Sequence, residues 1–414
     1  MADVTKRIGL SLGADICWPI AFTEILKRLD LGIPTGADRV RFEVERMTID
    51  PFPLREPKRY DLVIDRLTHW YHTRREWIKK AVMMDDVYVF NNPWSVQSME
   101  KSTSYAVMMR LGFPVPDTWL VPPHSYEPIE DLEVTLRSYA RHFDLGAIGR
   151  ELGYPMFMKP YDGGGWRAVS RLANESALRE AYDNSGKLVM LLQAAVDPFD
   201  RFVRCIGLGP QTHVVLYDPK APLHDRYTVA HDFLSPEERR LIDSTTLIIN
   251  AFFRWDFNSC ELLHREGTWH PIDFANPCPD SQVTSLHYHF PWLIKANIRW
   301  AVFSATVGRK LQPLEWDRFF DAVEDGMTLQ ERIDALLPLV HAHFDTDAFH
   351  EFCDTHLANL DAVTHEWFGT EDARDAVRRK VAALFPPHEV EEFTSKFFQR
   401  IQQWRSDTAV EVKP

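Results

Sequence analysis

The pattern of apolar and polar positions changes twice along the 414-residue chain. Over the first 92 residues, short apolar runs such as RIGLSL, YDLVIDRL and VYVFNN alternate with segments of helical spacing such as WPIAFTEILKRLDLG and RREWIKKAVM. Strands that alternate with helices through short connections predict a parallel, doubly wound sheet. We therefore expect an α/β domain at residues 1–92.

The middle of the chain has the pattern of an α+β fold with mainly antiparallel strands. SMEKSTSYAVMMRLG predicts a helix ended by Gly112, and FPVPDTWLVPP is extended because of its prolines. Residues 125–150 predict a charged helical insertion. Further strands are predicted in PMFMKP, WRAVSRL, KLVMLLQAAV, FVRCIGLG and HVVLYDP. DFNSCELLHREGTWHPIDFAN predicts a hairpin with Glu266-Gly267 at its turn.

Helix signals become dominant towards the end of the chain. Asn174 is placed to cap a helix in NESALREAYDNSG, and Ser235 with Glu238 forms a capping-box pattern before a longer one. From about residue 290 onward the chain is predicted to be helical. Between Phe349 and Val363, residues recur at steps of three and four along the chain, which is typical of helical structure.

Composition excludes some classes of partner. The chain carries 60 acidic and 47 basic side chains, so it does not attract nucleic acid or an anionic membrane through bulk charge. No uninterrupted apolar run reaches the about 18 residues that a membrane span requires. Five dispersed cysteines without a C-x-x-C pair are typical of reduced thiols. We expect a cytoplasmic protein.

The stretch YPMFMKPYDGGGWRAV combines a strand, a lysine and three glycines. Glycines let backbone N–H groups approach an anion closely, and Lys159 at the strand end would add a charge for the same anion. This combination suits a polyphosphate, although a glycine-rich hairpin with an exposed lysine would have the same sequence. Neither the P-loop pattern nor the dinucleotide-binding glycine pattern occurs in the chain.

The predicted hairpin carries candidate ligands for the divalent metal that accompanies a polyphosphate. Glu261 and Asp273 flank its turn and can lie side by side across the two strands, with Asn276 just beyond. The alternative is that one carboxylate points to solvent. The cysteines and histidines nearby match no common zinc spacing.

In this order, the motifs over about residues 60–280 resemble the ATP-grasp superfamily, especially its glutathione synthetase-like and ribosomal-protein-modifying ligases. The similar segments are YDLVIDRL, NNPWSVQSMEKSTSYAVMMRLGFPVPDTWLV, LGYPMFMKPYDGGGWRAVSRL, LVMLLQAAVDPFDRFVRCIGLG and NSCELLHREGTWHPIDFANPCPD. The resemblance implies a pre-ATP-grasp α/β domain at 1–92, the two ATP-grasp lobes at 93–195 and 196–308, and a helical extension at 309–414.

The same resemblance assigns roles to residues. It implies that Lys101 and Lys159 bind the phosphates of ATP and that Gly163, Gly164 and Gly165 cover them. It places the adenine-binding hinge at Gln193, Ala195 and Val196, and the ribose at Asp200 or Asp197. Mg²⁺, or Mn²⁺ in its place, would be bound by Glu261, Asp273 and Asn276. Arg204 is the candidate for stabilising the transferred phosphate, with Lys220 as a weaker one.

Two departures from the family pattern affect single positions. Ala194 follows Gln193 where the family usually has a glutamate, so a side-chain contact to the nucleotide is missing. Asp273 and Asn276 are three residues apart where the family has two, which requires a bulge if both are to bind metal.

The activity implied is a ligase that joins a carboxylate to an amine through an acyl phosphate and releases ADP and phosphate. A small-molecule kinase of the same fold and a non-catalytic nucleotide-binding scaffold are the alternatives. The substrates are expected to be small molecules or peptides. Candidate substrate contacts are Asp15, Arg66, His69 and Trp70, at predicted strand ends, and residues 285–290. For the helical extension the sequence leaves open a homodimer interface, a lid and a docking surface.

Overall fold

The computed structural model describes residues 2–48, 50–55, 57, 59–68, 71–98, 100–140, 142–162 and 167–408. The strands are β1 Ala2–Ser11, β2 Ile33–Thr35, β3 Asp38–Arg46, β4 Leu62–Asp65, β5 Tyr88–Phe90, β6 Thr118–Val121, β7 Met156–Pro160, β8 Ser170–Leu172, β9 Met190–Ala194, β10 Arg201–Leu208, β11 Gln211–Leu216, β12 Phe257–Arg265 and β13 Thr268–Asp273.

The helices carry most of the second half of the chain. They are α1 Cys17–Leu29, α2 His72–Asp85, α3 Pro93–Ser98, α4 Lys101–Arg110, α5 Leu132–Tyr139, α6 Leu145–Leu152, α7 Glu175–Asp183, α8 Pro236–Phe253, α9 Val283–Leu286, α10 Phe290–Val307, α11 Trp316–Asp321, α12 Leu329–Phe344, α13 Thr346–His356, α14 Leu360–Trp367, α15 Glu371–Ala382 and α16 Val390–Thr408. Among the described helices, none is long and apolar enough to cross a membrane.

The chain forms two compact units. The first unit comprises Met1–Ser98, Val203–Cys260 and Pro277–Pro414, and the second comprises Met99–Phe202 and Glu261–Asn276. The mixed α/β and α+β class and the all-helical C-terminal region are as predicted. The four-part division at 1–92, 93–195, 196–308 and 309–414 stays a prediction.

The first unit contains the predicted parallel sheet. Its strand order is β2-β3-β1-β4-β5, in which β3, β1, β4 and β5 are parallel and β2 is antiparallel to β3. Ser11 at the end of β1 pairs with Asp65 at the end of β4, so the carboxyl ends of these strands lie side by side. The same unit contains the antiparallel pair β10–β11.

The predicted elements omit β3, although its sequence, DRVRFEVER, alternates charged with apolar residues as a half-exposed strand does. Val40 is the one buried residue of this strand. The helical region predicted from Phe349 to Val363 is helical, in two helices. The structure divides it into α13 and α14, and Leu357 between them leaves the helical conformation at φ −124° and ψ 20°. Leu357 and Leu360 are both buried.

The second unit is built on an antiparallel sheet of order β6-β9-β7-β8. Helices α6 and α7 pack on it through an apolar core that includes Ile148, Leu178, Met156 and Leu192. Asn174 caps α7 by accepting a hydrogen bond from the Ala177 N–H at 3.0 Å, as predicted. The predicted helical insertion at 125–150 contains two short helices, α5 and α6.

The hairpin of β12 and β13 turns at the predicted residues. Glu266 and Gly267 both have positive φ, 51° and 80°, which is the geometry of a tight hairpin turn. The ladder is regular from Arg265↔Thr268 to Leu262↔Pro271, and it then shifts to Glu261↔Asp273. Ile272 is therefore the extra residue of a β-bulge.

Candidate active site

Two lysines from different elements of the second unit converge near the hairpin. Lys101 is the first residue of α4, and its backbone N–H donates to the Tyr161 carbonyl at 3.1 Å, just beyond β7. Lys159 is on β7 itself. Both side chains are almost completely buried, at 6% and 7% exposure. The alternative that Lys159 is an exposed lysine is therefore wrong.

Lys101 forms an ion pair with a predicted metal ligand. Its Nζ is 2.7 Å from Oδ1 and 2.9 Å from Oδ2 of Asp273. The predicted pairing of Glu261 with Asp273 across the hairpin is confirmed, and Glu261 is buried. Asn276 lies beside Asp273, with Nδ2 3.3 Å from Oδ1. The bulge precedes Asp273 and does not absorb the extra residue, yet both side chains remain adjacent.

Lys159 makes two hydrogen bonds to neutral acceptors. Its Nζ donates to Gln193 Oε1 at 2.9 Å and to the Ile272 carbonyl at 3.0 Å. It also lies 4.9 Å from the centre of the Tyr105 ring, whose hydroxyl donates to the same carbonyl at 2.9 Å. The carbonyl that both donors use belongs to the bulged residue, which has left the regular ladder.

These buried surroundings lower the pKa of Lys159. Burial lowers the pKa of Lys159 to about 7, the charge of Asp273 opposes this change, and the charge of Lys101 adds to it. Burial, with the charge of Asp273, raises the pKa of Tyr105 well above its usual range, so its phenol stays a donor.

The side chain of Gln193 is not placed as expected for a residue of an adenine-binding hinge. It is buried, and both ends of its amide are hydrogen-bonded: Nε2 donates to Thr118 Oγ1 at 3.0 Å, and Oε1 accepts from Lys159. The side chain therefore orients Lys159. Ala195 and Val196 follow the end of β9, as a hinge requires, and their binding to adenine stays a prediction.

The other residues predicted to bind the nucleotide differ in their hydrogen-bond partners. Asp200 is exposed, and its Oδ1 is 2.6 Å from His264 Nδ1. The hydrogen bond to His264 lowers the pKa of Asp200. Asp197 accepts a hydrogen bond from Arg171. Gly163, Gly164 and Gly165 lie outside the described residues.

The two predicted catalytic residues belong to the first unit. Arg204 on β10 is hydrogen-bonded to the Tyr227 hydroxyl, and its guanidinium lies 5.0 Å from the centre of the Tyr217 ring. Lys220 is exposed, and its backbone N–H donates to Asp218 Oδ1 at 2.9 Å.

The residues of the first unit that were predicted to contact a substrate differ in their surroundings. Asp15 and Arg66 form an ion pair of 2.8 Å at the carboxyl ends of β1 and β4. His69 and Trp70 lie outside the described residues. His287 and His289 are buried, and burial lowers the pKa of these two histidines to about 3 and about 4. His289 also hydrogen-bonds to His213 at 2.9 Å, so the two histidines are interior groups.

Metal binding fits the oxygen ligands of the hairpin. Glu261, Asp273 and Asn276 supply two carboxylates and an amide, which are ligands that Mg²⁺ accepts together with phosphate oxygens. Among the described residues, no group of three His, Cys, Asp or Glu side chains is arranged to hold a metal ion. All five cysteines are free thiols.

Sequence reasoning missed the partners of the two lysines. Tyr105 and the Ile272 carbonyl carry no motif, and Gln193 was assigned to the nucleotide. The structure explains one of these contacts: on adjacent antiparallel strands, Phe157 pairs with Gln193, so Lys159 is the diagonal neighbour of Gln193.

Comparison with known proteins gives a likeness of fold. No protein-family model and no curated protein matches the chain. Solved structures do. A D-alanine–D-alanine ligase from Bacillus anthracis, complexed with ATP, is 13% identical at TM-score 0.47, over 73% of this chain and 99% of its own. A RimK domain protein ATP-grasp from Sphaerobacter thermophilus is 12% identical at TM-score 0.43, over 66% and 92%.

A third similar structure is the macrocyclase MdnC from Microcystis aeruginosa, bound with its precursor peptide MdnA. It is 12% identical at TM-score 0.47 and covers 73% of this chain and all of its own, 100%.

Proposed function

We propose that this protein is an ATP-dependent ligase that joins a carboxylate to an amine. The observation that carries the proposal is the convergence of Lys101 and Lys159, two buried lysines from separate elements, beside Asp273 in the second unit. Buried lysines are rare unless they are paired or functional. A cluster of two cations and neighbouring carboxylates is suited to a phosphate chain with its metal ion.

The reaction follows from what these groups supply. A substrate carboxylate oxygen attacks the γ-phosphorus of ATP, the bond to the β,γ-bridging oxygen breaks, and ADP leaves. The amine then attacks the acyl carbon, inorganic phosphate leaves, and the amine loses a proton. Both steps move charge onto phosphate oxygens, so fixed cations stabilise them.

Each proposed residue has one task. Lys101 and Lys159 bind phosphate oxygens, and Gly163 to Gly165 cover them. Glu261, Asp273 and Asn276 would hold Mg²⁺, or Mn²⁺, which neutralises the phosphates when bound. This requires Lys101 to exchange Asp273 for phosphate when nucleotide and metal enter.

Arg204 and Lys220 remain candidates for a catalytic role. Arg204 is proposed to stabilise the acyl phosphate, since a guanidinium is the side chain best suited to phosphate oxygens. Lys220 is proposed as a secondary cation.

The test is thermal stabilisation by ATP with Mg²⁺. A ligand that binds only the native state adds ~2.7 kcal/mol at a hundredfold excess over its Kd. We expect stabilisation of the wild type that Lys159→Ala and Glu261→Ala both lose. Lys187→Ala is the matched control, because Lys187 is an exposed lysine of the same unit, ion-paired with Glu127 at 2.7 Å.

An assay of phosphate release separates the classes of enzyme. Release of inorganic phosphate with a carboxylate–amine pair identifies a ligase, whereas phosphorylation of an alcohol without free phosphate identifies a kinase. Absence of any shift at millimolar ATP in the folded wild type would overturn the proposal and favour a non-catalytic scaffold that does not bind nucleotide.

A further inference from the structure

Asp273, on the hairpin of the second unit, accepts hydrogen bonds at both of its carboxylate oxygens. Nζ of Lys101 is 2.7 Å from Oδ1 and 2.9 Å from Oδ2, so one ammonium spans the carboxylate. A divalent metal ion binds a carboxylate through these same two oxygens. The ammonium of Lys101 therefore occupies a position from which a metal ion would bind Asp273.

Asn276 also acts on Asp273 as a hydrogen-bond donor. Its Nδ2 lies 3.3 Å from Oδ1 and 3.4 Å from the backbone carbonyl of Asp273. The amide oxygen, which is the atom that could bind a metal ion, is not the atom that faces Asp273. Asp273 and Asn276 are thus paired as acceptor and donor, and are not presented together as two acceptors.

The surroundings of Lys101 decide what can release Asp273. The side chain of Lys101 is 7% exposed, whereas that of Asp273 is 25% exposed. A buried ammonium that loses its carboxylate is left uncompensated, which is strongly unfavourable. A divalent ion alone repels the ammonium and offers it no acceptor.

A phosphate chain differs from a metal ion in this respect. Its oxygens carry the charge opposite to that of Lys101, so the ammonium can move from Asp273 to phosphate without losing an anionic partner. The carboxylate is then available to a metal ion. Nucleotide and metal would each favour binding of the other, and this coupling is reciprocal.

We propose that the ion pair of Lys101 and Asp273 is autoinhibitory: it keeps a divalent metal ion from the hairpin until the phosphates of a nucleotide accept the ammonium of Lys101. The inference concerns the regulation of the site proposed for ATP, and it rests on that proposed function for the identity of the nucleotide. It has a consequence in the absence of nucleotide, because removal of the lysine should strengthen metal binding.

The experiment measures Mn²⁺ binding to the full chain without nucleotide, from the electron paramagnetic resonance signal of the free ion. Mn²⁺ is the probe because it takes the oxygen ligands that Mg²⁺ takes. Lys101→Met replaces the ammonium by an uncharged side chain. We expect this variant to bind Mn²⁺ at least about tenfold more tightly than the wild type, which equals about 1.4 kcal/mol.

Two controls assign the gain to this ion pair. Lys159→Met removes the other buried lysine, whose hydrogen bonds go to Gln193 Oε1 and to the Ile272 carbonyl, and it should change Mn²⁺ binding less than Lys101→Met does. Adding Asp273→Asn to Lys101→Met should abolish the gain. Each variant must keep the wild-type far-UV circular dichroism spectrum.

A reciprocal variant tests the same ion pair if Lys101→Met does not fold. In Asp273→Asn the ammonium of Lys101 is no longer held by a carboxylate, and one negative charge near the phosphates is removed. We expect this variant to bind ATP in the presence of EDTA at least about tenfold more tightly than the wild type does. Unchanged or weaker binding of metal-free ATP would overturn the inference.

The inference is also overturned if Lys101→Met binds Mn²⁺ no more tightly than the wild type, or if the double variant keeps the gain. Stabilisation of the wild type by ATP with Mg²⁺, measured on the same samples, reports on the proposed function alone. A gain in Mn²⁺ binding without an ATP effect would leave the autoinhibitory ion pair standing while the ligase falls. An ATP effect without the gain would do the reverse.

Discussion

At the scale of single residues, the protonation of Lys159 links the site to pH. The pKa of Lys159 is about 7, whereas that of an ordinary lysine is about 10.4. This buried lysine, whose acceptors are neutral, therefore loses its proton at a pH about three units lower. Between these two pH values the unfolded chain binds more protons than the native one. The free energy of unfolding therefore rises with pH between these two values. Below the lower value the native state carries the full unfavourable free energy of the buried charge.

The first prediction concerns ATP binding at a pH of about 8, where the free site holds a largely neutral Lys159. The triphosphate favours the ammonium form, so binding should take up as much as about one proton per site. Isothermal titration calorimetry in buffers of different ionisation enthalpy measures this uptake. Affinity should weaken as the pH rises further.

The matched variant is Lys159→Arg, because a guanidinium keeps its charge throughout this range. It should bind ATP with little proton uptake, if it still binds. Equal uptake in the wild type and in this variant would assign the proton to another group and contradict the prediction.

At the scale of elements, the bulge in the β12–β13 hairpin shapes the site. It turns the Ile272 carbonyl out of the ladder and towards Lys159 and Tyr105. The hydroxyl of Tyr105 shares this acceptor with the lysine, and its ring packs against Phe274 at 5.1 Å between ring centres. We infer that Tyr105 holds the bulged backbone in the position that Lys159 needs.

The second prediction is that Tyr105→Phe lowers the free energy of unfolding by about 1 kcal/mol, as for the loss of one buried hydrogen bond. It should also weaken ATP binding. Urea unfolding and thermal shift with ATP measure the two effects.

Tyr182→Phe is the control for this prediction, since its hydroxyl donates to the Pro122 carbonyl at the same distance, 2.9 Å, within the same unit. It should lose similar stability and keep its ATP affinity. Equal ATP effects in both variants would mean that Tyr105 acts only through general stability.

Local signals explain which elements could be predicted. The capping box of Ser235 and Glu238 and the Glu266-Gly267 turn depend on neighbouring residues, and both are present as expected. The contact of Lys101 with Asp273 joins residues 172 positions apart and has no local signature. The break between α13 and α14 lies at Leu357, and the periodicity of three and four residues does not indicate its position.

At the scale of the whole molecule, the helical C-terminal region belongs to the first unit together with the N-terminal sheet. Helix α1 packs against α10, α14 and α15. Ion pairs join α10 to α14 through Arg299 and Asp361 at 3.0 Å, and α16 to Asp225 through Lys396 at 2.8 Å. The buried face of α1, which includes Phe22 and Ile25, thus has helical partners distant in sequence.

The last prediction follows from that packing. A chain that ends at Gly308 keeps the parallel sheet but loses α14 and α15 as partners of α1. Each large apolar side chain returned to water costs about 1.5–3 kcal/mol, and a domain has only about 5–15 kcal/mol of stability. We expect the shortened chain to lose the cooperative unfolding transition of its first unit, as followed by near-UV circular dichroism.

Co-expression with residues 309–414 as a separate chain should restore the transition, because the missing contacts are noncovalent. If the shortened chain instead unfolds cooperatively at the midpoint of the full chain, residues 309–414 are an independent extension, as the four-part division from the sequence has it.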